Sequence, residues 1–95
     1  MAVKVIIKRI VPENKAEALK PLLQKLRNLA MQQSGYISGE TFKRVDRPGE
    51  NLVISTWQSM DDWRVWVLCD ERRGAQEKID YLLGEKTDYE VYKYD

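Results

Sequence analysis

The chain has 95 residues, 43% of them apolar and 33% charged, values that fit one soluble globular domain and exclude a disordered chain. Sixteen basic against fifteen acidic residues leave a net charge of +1, which excludes the electrostatic footprint of a nucleic-acid or anionic-membrane binder. Histidine is absent, which removes the usual haem and zinc ligand, the usual general base near neutral pH and every Ser-His or Cys-His nucleophile pair. The lone Cys69 cannot form an internal disulfide, so a reducing, cytoplasmic setting is expected. No apolar run is long enough to span a bilayer, and the N-terminus is too charged for a signal peptide.

Val3 to Val11 (VKVIIKRIV) alternates as a strand, with Val3, Val5 and Ile7 on one apolar face. Ile6 and Ile10 give the opposite, mixed face enough apolar character to need a cover. Pro12 ends the strand because it has no N–H for a ladder. Asn14 is a good N-cap and Glu17, three residues on, completes a capping-box-like pair. Leu19, Leu22, Leu23, Leu26, Leu29 and Ala30 then fall at helical spacing and predict an amphipathic helix. Pro21 inside it costs about 3 kcal/mol, but the leucine stripe continues in phase across it, which predicts one helix with a bend near Glu17 to Pro21. Gly35 is placed to end the helix. Tyr36 to Val45 reads as a second strand, with Ile37, Gly39, Thr41 and Val45 on one face and Tyr36, Ser38, Glu40 and Phe42 on the other. Gly39 inside it suggests a bulge or a close approach. Asp46-Arg47-Pro48-Gly49 has turn chemistry, and Asn51 to Gln58 returns as a third strand to close a hairpin. Ser59, with Asp61 and Asp62 behind it, caps a helix that runs to about Cys69. Asp70 to Gly74 reads as a break, Ala75 to Leu83 as a further short helix ended by Gly84, and Thr87 to Tyr94 as a fourth strand.

The order β, α, β, β, α, β predicts a ferredoxin-like α+β domain over residues 1–95, with a four-stranded antiparallel sheet and its helices on one face. The other face is too apolar to stand in water. A second copy stacked sheet on sheet, as an isologous homodimer, is the economical cover and gives a dimeric α+β barrel.

In this order the chain resembles the antibiotic biosynthesis monooxygenase (ABM) domain family over nearly its whole length. The resemblance rests on the opening strand followed by Val11-Pro12-Glu13 into an amphipathic helix, on the Pro- and Gly-closed hairpin, and on Trp57-x-Ser59-x-x-Asp62-Trp63-x-x-Trp66. It implies a pocket in each protomer between sheet and helices. For some members it also implies oxygenation of quinol-like or polyketide-like aromatics without metal, flavin or other bound cofactor. Trp66 falls on the pocket tryptophan of the family's haem-degrading branch. That branch also uses an asparagine on the first strand, absent here, and a histidine ligand where this chain has Gln76. An amide is a poor iron ligand, so haem degradation loses two of its three residues.

The candidate pocket residues are Trp66, Trp63, Gln76 and Tyr89, with no catalytic residue assigned. For each, a packing role competes with a pocket role. Trp66 is a pocket wall or plain core. Trp63 reads first as core or dimer contact, and Trp57, at a strand end, as core. Tyr89, Tyr92 and Tyr94 fill a subunit interface or hydrogen-bond a phenolic ligand. Cys69 reads as a small buried hydrophobe, Asp61 and Asp62 as helix-start residues, and Arg72 and Arg73 as a solvated helix boundary. Three functions therefore compete: a small cofactor-independent oxygenase, a non-catalytic dimer that binds a small aromatic or a partner, and a haem protein.

Overall fold

The computed structural model describes residues 1–95. Strand β1 (Val3–Ile10) leads through a 3-10 turn (Glu13–Lys15) into helix α1 (Ala16–Met31). Strands β2 (Tyr36–Lys43) and β3 (Glu50–Trp57) form the hairpin, helices α2 (Met60–Leu68) and α3 (Asp70–Leu83) follow, and β4 (Glu90–Lys93) ends the fold. Every pairing is antiparallel, in the order β2-β3-β1-β4, so each helical crossover skips one strand. This is the expected ferredoxin-like arrangement.

The register sorts the sheet into two faces. Val3 pairs with Trp57, Val5 with Ser55, Ile7 with Val53 and Arg9 with Asn51, all on the face toward the helices. Ile6 opposite Ile54 and Lys8 opposite Leu52 lie on the other face, with Phe42 beside Leu52 and Tyr92 beside Lys4. That face is open in the single chain: Ile10 is 66% exposed, and Phe42 and Tyr92 are also exposed.

Three local expectations are corrected. Asn14 lies in the 3-10 turn and does not cap α1; Lys15 holds that position and makes no side-chain cap bond. The turn starts earlier because the Pro12 carbonyl already accepts from Lys15 N at 2.9 Å. As the in-phase leucine stripe predicts, α1 runs through Pro21 as one sixteen-residue helix; the stripe buried against α3 and the sheet outweighs the lost hydrogen bond. The break foreseen over Asp70 to Gly74 shrinks to one residue, Cys69 (φ −65, ψ 128), and α3 begins at Asp70. Asp70 and Glu71 favour a helix start there, and Gly74 within a helix costs only about 1 kcal/mol. The third correction concerns β2. Its pairing with β3 jumps between Tyr36 and Ser38, so Ile37 is the extra residue of a bulge and Tyr36 joins Gly39 and Thr41 on the helix side. Strict alternation had put Tyr36 with Phe42.

Two apolar clusters join the layers. Val3, Val5, Trp57 and Trp66 form one, with Leu29, Tyr36, Met60 and Val91 packed against it. Val11, Leu19 and Ile79 form the other, and Leu26 touches both. Ser59 caps α2 as expected, accepting from Asp62 N at 3.1 Å while its hydroxyl donates to Asp62 Oδ2 at 2.9 Å. The capped Asp62 side chain lies on Gly35, where a Cβ would stand 2.3 Å from Asp62 Cγ at a backbone φ of +88. Gly84 has φ +73 as the left-handed end of α3, and a Cβ there would meet nothing within 4 Å. Gly84→Ala therefore carries only left-handed strain, about 1–2 kcal/mol. Gly35→Ala adds the overlap with Asp62, and is expected to lower unfolding free energy in urea by clearly more than Gly84→Ala does. Equal losses would show that Asp62 moves aside freely.

Candidate ligand cavity

The two clusters hold sheet and helices apart at the ends and leave a cavity of about 590 Å³ between them. Tyr36, Trp57, Trp66 and Tyr89 supply aromatic wall, and Ile7, Val53, Leu23, Leu26 and Met31 supply aliphatic wall. These positions follow from local structure. Trp57 and Val53 are alternate residues of β3 on the helix side, and Leu23, Leu26 and Ala30 share one stripe of α1. The Trp57 ring stacks on Trp66 at 6.1 Å between centroids and meets Tyr36 edge-on at 5.5 Å. Trp57 is 1% exposed and its Nε1 donates to Ser55 Oγ at 3.1 Å, so the aromatic wall is fixed by core packing. Gly39 keeps the wall thin: a Cβ there would lie 2.5 Å from the Tyr36 hydroxyl oxygen.

One side of the cavity is polar. Arg72, 7% exposed, donates through Nη1 to the Val67 carbonyl at 3.1 Å and through Nη2 to the Tyr89 hydroxyl. The Tyr89 hydroxyl donates to Gln76 Oε1 at 3.2 Å, and Gln76 Nε2 donates to Asp80 Oδ1 and Thr87 Oγ1 at 2.9 and 2.7 Å. Thr87 closes the chain by donating to Asp80 Oδ1 at 2.7 Å. Arg9 is different. It is 5% exposed, it lines the same cavity, and its Nε and Nη2 are buried without any hydrogen-bond partner. Burial pushes both guanidinium groups below their ordinary pKa, with the charge of Asp80 working the other way in each case. No cluster of His, Cys, Asp or Glu side chains sits at metal-binding spacing.

Of the residues singled out in the sequence, Trp66, Gln76 and Tyr89 line the cavity together. Trp63 does not line it; it packs behind Tyr89, edge-on at 6.0 Å. Gln76 is engaged at both ends of its amide, by Tyr89 at the oxygen and by Asp80 and Thr87 at the nitrogen. Tyr92 and Tyr94 stand exposed, away from the cavity. Cys69 is half-buried at the junction of α2 and α3. The expectation that Arg72 is a solvated boundary residue is overturned, because α3 starts early and turns that position inward. Arg9 was missed outright. The signal was its place in β1, two residues past Ile7, on the face that reads as wholly apolar up to that point.

The sequence model of the family described as antibiotic biosynthesis monooxygenase matches residues 2–78. The chain belongs to that family. A search of curated protein sequences returned no match. Among solved structures, the ABM domain is similar to a conserved protein from Methanosarcina mazei Go1, with 16% identity, a TM-score of 0.90, and coverage of 100% of this chain and 94% of that one. It is similar to SnoaB, a cofactor-independent oxygenase from Streptomyces nogalater, at 13% identity and a TM-score of 0.85, covering 99% and 93% of the two chains. It is also similar to Rv0793 from Mycobacterium tuberculosis, at 17% identity and a TM-score of 0.85, covering 100% and 96%. At these identities the likeness is one of fold.

Within this ABM domain Arg9 is a liability to stability. A guanidinium stays ionised at neutral pH, and a buried charge without a partner costs several kcal/mol in a folded protein. Its depressed pKa carries the same sign: the native state binds the proton less well than the unfolded chain does, so the ionised group destabilises the fold. Arg9→Met keeps the unbranched stem and removes the charge. It is expected to raise unfolding free energy at neutral pH by about 1–4 kcal/mol in a urea titration; a loss would mean that Arg9 has a stabilising partner.

Proposed function

We propose that the domain is a cofactor-independent monooxygenase whose substrate is a planar, electron-rich aromatic of quinol-like or polyketide-like type. The observation that carries the reading is the 590 Å³ cavity walled by Tyr36, Trp57, Trp66 and Tyr89, in a family named for monooxygenases. Its volume is that of a small-molecule site, apolar with a few convergent polar groups. The similarity to SnoaB supports it at the level of fold. In such a reaction an activated ring methylene becomes a carbonyl. One oxygen atom of O₂ enters the substrate, the other leaves as water with the two methylene hydrogens, and the substrate supplies all the electrons. Ionisation of a substrate hydroxyl makes the ring a better reductant. The protein's part is then to orient the ring, exclude water and stabilise the substrate oxyanion through the positive charge of the buried guanidinium groups that line the cavity.

The test is oxygen uptake. A panel of quinols and anthrone-like phenols is expected to drive substrate-dependent O₂ consumption, and Trp66→Ala to lower its kcat/KM at least about tenfold with the circular dichroism spectrum retained. If no panel member drives uptake, the domain is a binding module.

We also propose that a second copy covers the open sheet face. Ile6, Ile10, Phe42, Leu52, Ile54 and Tyr92 form an apolar field there that lone proteins seldom leave in water. Sedimentation at low micromolar concentration is expected to give a dimer; a single species at 11.2 kDa would remove the pairing.

A further inference from the structure

The lining of the cavity holds three guanidinium groups, Arg9, Arg27 and Arg72, against one carboxylate, Glu40. Arg27 and Glu40 are exposed at the surface or the rim, whereas Arg9 and Arg72 are buried. Arg72 is committed to Val67 and Tyr89. Arg9 is not committed. Its two orphan nitrogens, Nε and Nη2, are neighbours along one edge of the guanidinium, and that edge is the fork that takes both oxygens of a carboxylate. Asp80 acts on Arg9 through its charge, but Asp80 Oδ1 is already held by Gln76 and Thr87 and no ion pair to Arg9 forms. Asn51 stands opposite Arg9 in register and lines the same space, with an amide free to donate. Neither nitrogen is exposed where the side chain lies, so a partner meets them only once the guanidinium turns toward the cavity that Arg9 lines.

We propose that Arg9 anchors the carboxylate of a ligand, and that the cavity takes an aromatic carboxylate. The aromatic body lies against Trp57 and Trp66, and the carboxylate, turned toward β1, closes on the Arg9 fork. A single-oxygen anion such as a phenolate fills only half of that fork. The inference rests on the cavity being a ligand site and not on its oxygen chemistry. It assigns to Arg9 the part of a binding residue, one that costs the empty protein stability.

Calorimetric titration tests it with 2-naphthoate, the neutral isostere 2-naphthalenemethanol, and 2-naphthol titrated above its pKa as the one-oxygen anion. Wild type is expected to bind naphthoate at least about tenfold more tightly than either comparator, the scale of a charge-assisted bidentate pair. Arg9→Met, whose fold is expected to be intact, abolishes that preference and leaves the affinity for the alcohol unchanged. Arg9→Lys keeps the charge, loses the fork and falls between. Asp80→Asn removes the carboxylate competing for Arg9 and tightens naphthoate alone. Equal affinity for all three ligands, a preference that survives Arg9→Met, or no binding of naphthoate overturns the proposal. Naphthoate preference without substrate-driven O₂ uptake leaves it standing and removes only the oxygenase; O₂ uptake with no naphthoate preference does the reverse.

Discussion

Trp57 sits where three strands and a helix meet, and the layers of this domain are set by how that one ring is held. Its backbone pairs with Val3 on one side and Tyr36 on the other, and its ring stacks on Trp66 from α2. The indole N–H is satisfied within its own strand by Ser55, which lets the ring be buried without an orphan donor. Because the same ring is both core and cavity wall, the cavity cannot widen at that end without disturbing the sheet. The Val11, Leu19 and Ile79 cluster fixes the other end. What lies between is a space whose walls are pre-organised by packing that the fold needs anyway.

The polar side of the cavity obeys a different economy. Tyr89, Gln76, Thr87 and Asp80 satisfy one another in a closed chain, as buried polar groups must if they are not to weaken the fold. Arg9 breaks that rule while standing only a few residues away in space. Native proteins violate such rules mostly where a ligand or a reaction needs the violation, which is why the odd residue of the site says more than the ordered ones. Solved structures at 13–17% identity share the fold, so the scaffold tolerates wide exchange of side chains while its pattern persists. What distinguishes one member from another is then the handful of groups that face the cavity.

Much of this was legible in the residues. Periodicity placed the strands and the leucine stripe of α1, Ser59 announced α2, and Gly84 ended α3, because each rests on a local rule that tertiary structure did not override. Trp66 could be placed by spacing from Trp57 and by family likeness, yet nothing local tells a wall from a core, since the difference is an empty volume. Tyr36 went to the wrong face because a bulge changes parity by one residue, and Gly39 signalled only that something irregular was near. Arg9 and Arg72 were hidden for opposite reasons. Arg9 follows Val3, Val5 and Ile7 on a face that those three residues mark as apolar, and a pair of arginines after Cys69 reads as a helix boundary. The second reading depends on where an element ends, which is the least certain thing a pattern gives.

Strand β4 is four residues long and is paired on one side only, to β1. A ladder that short is where a sheet frays at least cost, well below global unfolding. Tyr89 stands directly before it, and is the hydroxyl to which Arg72 and Gln76 both turn. The pairing of Arg72 and Gln76 thus depends on a residue at the margin of that strand. The polar wall of the cavity therefore hangs on the least extensive ladder of the sheet, and the aromatic wall on the most buried ring.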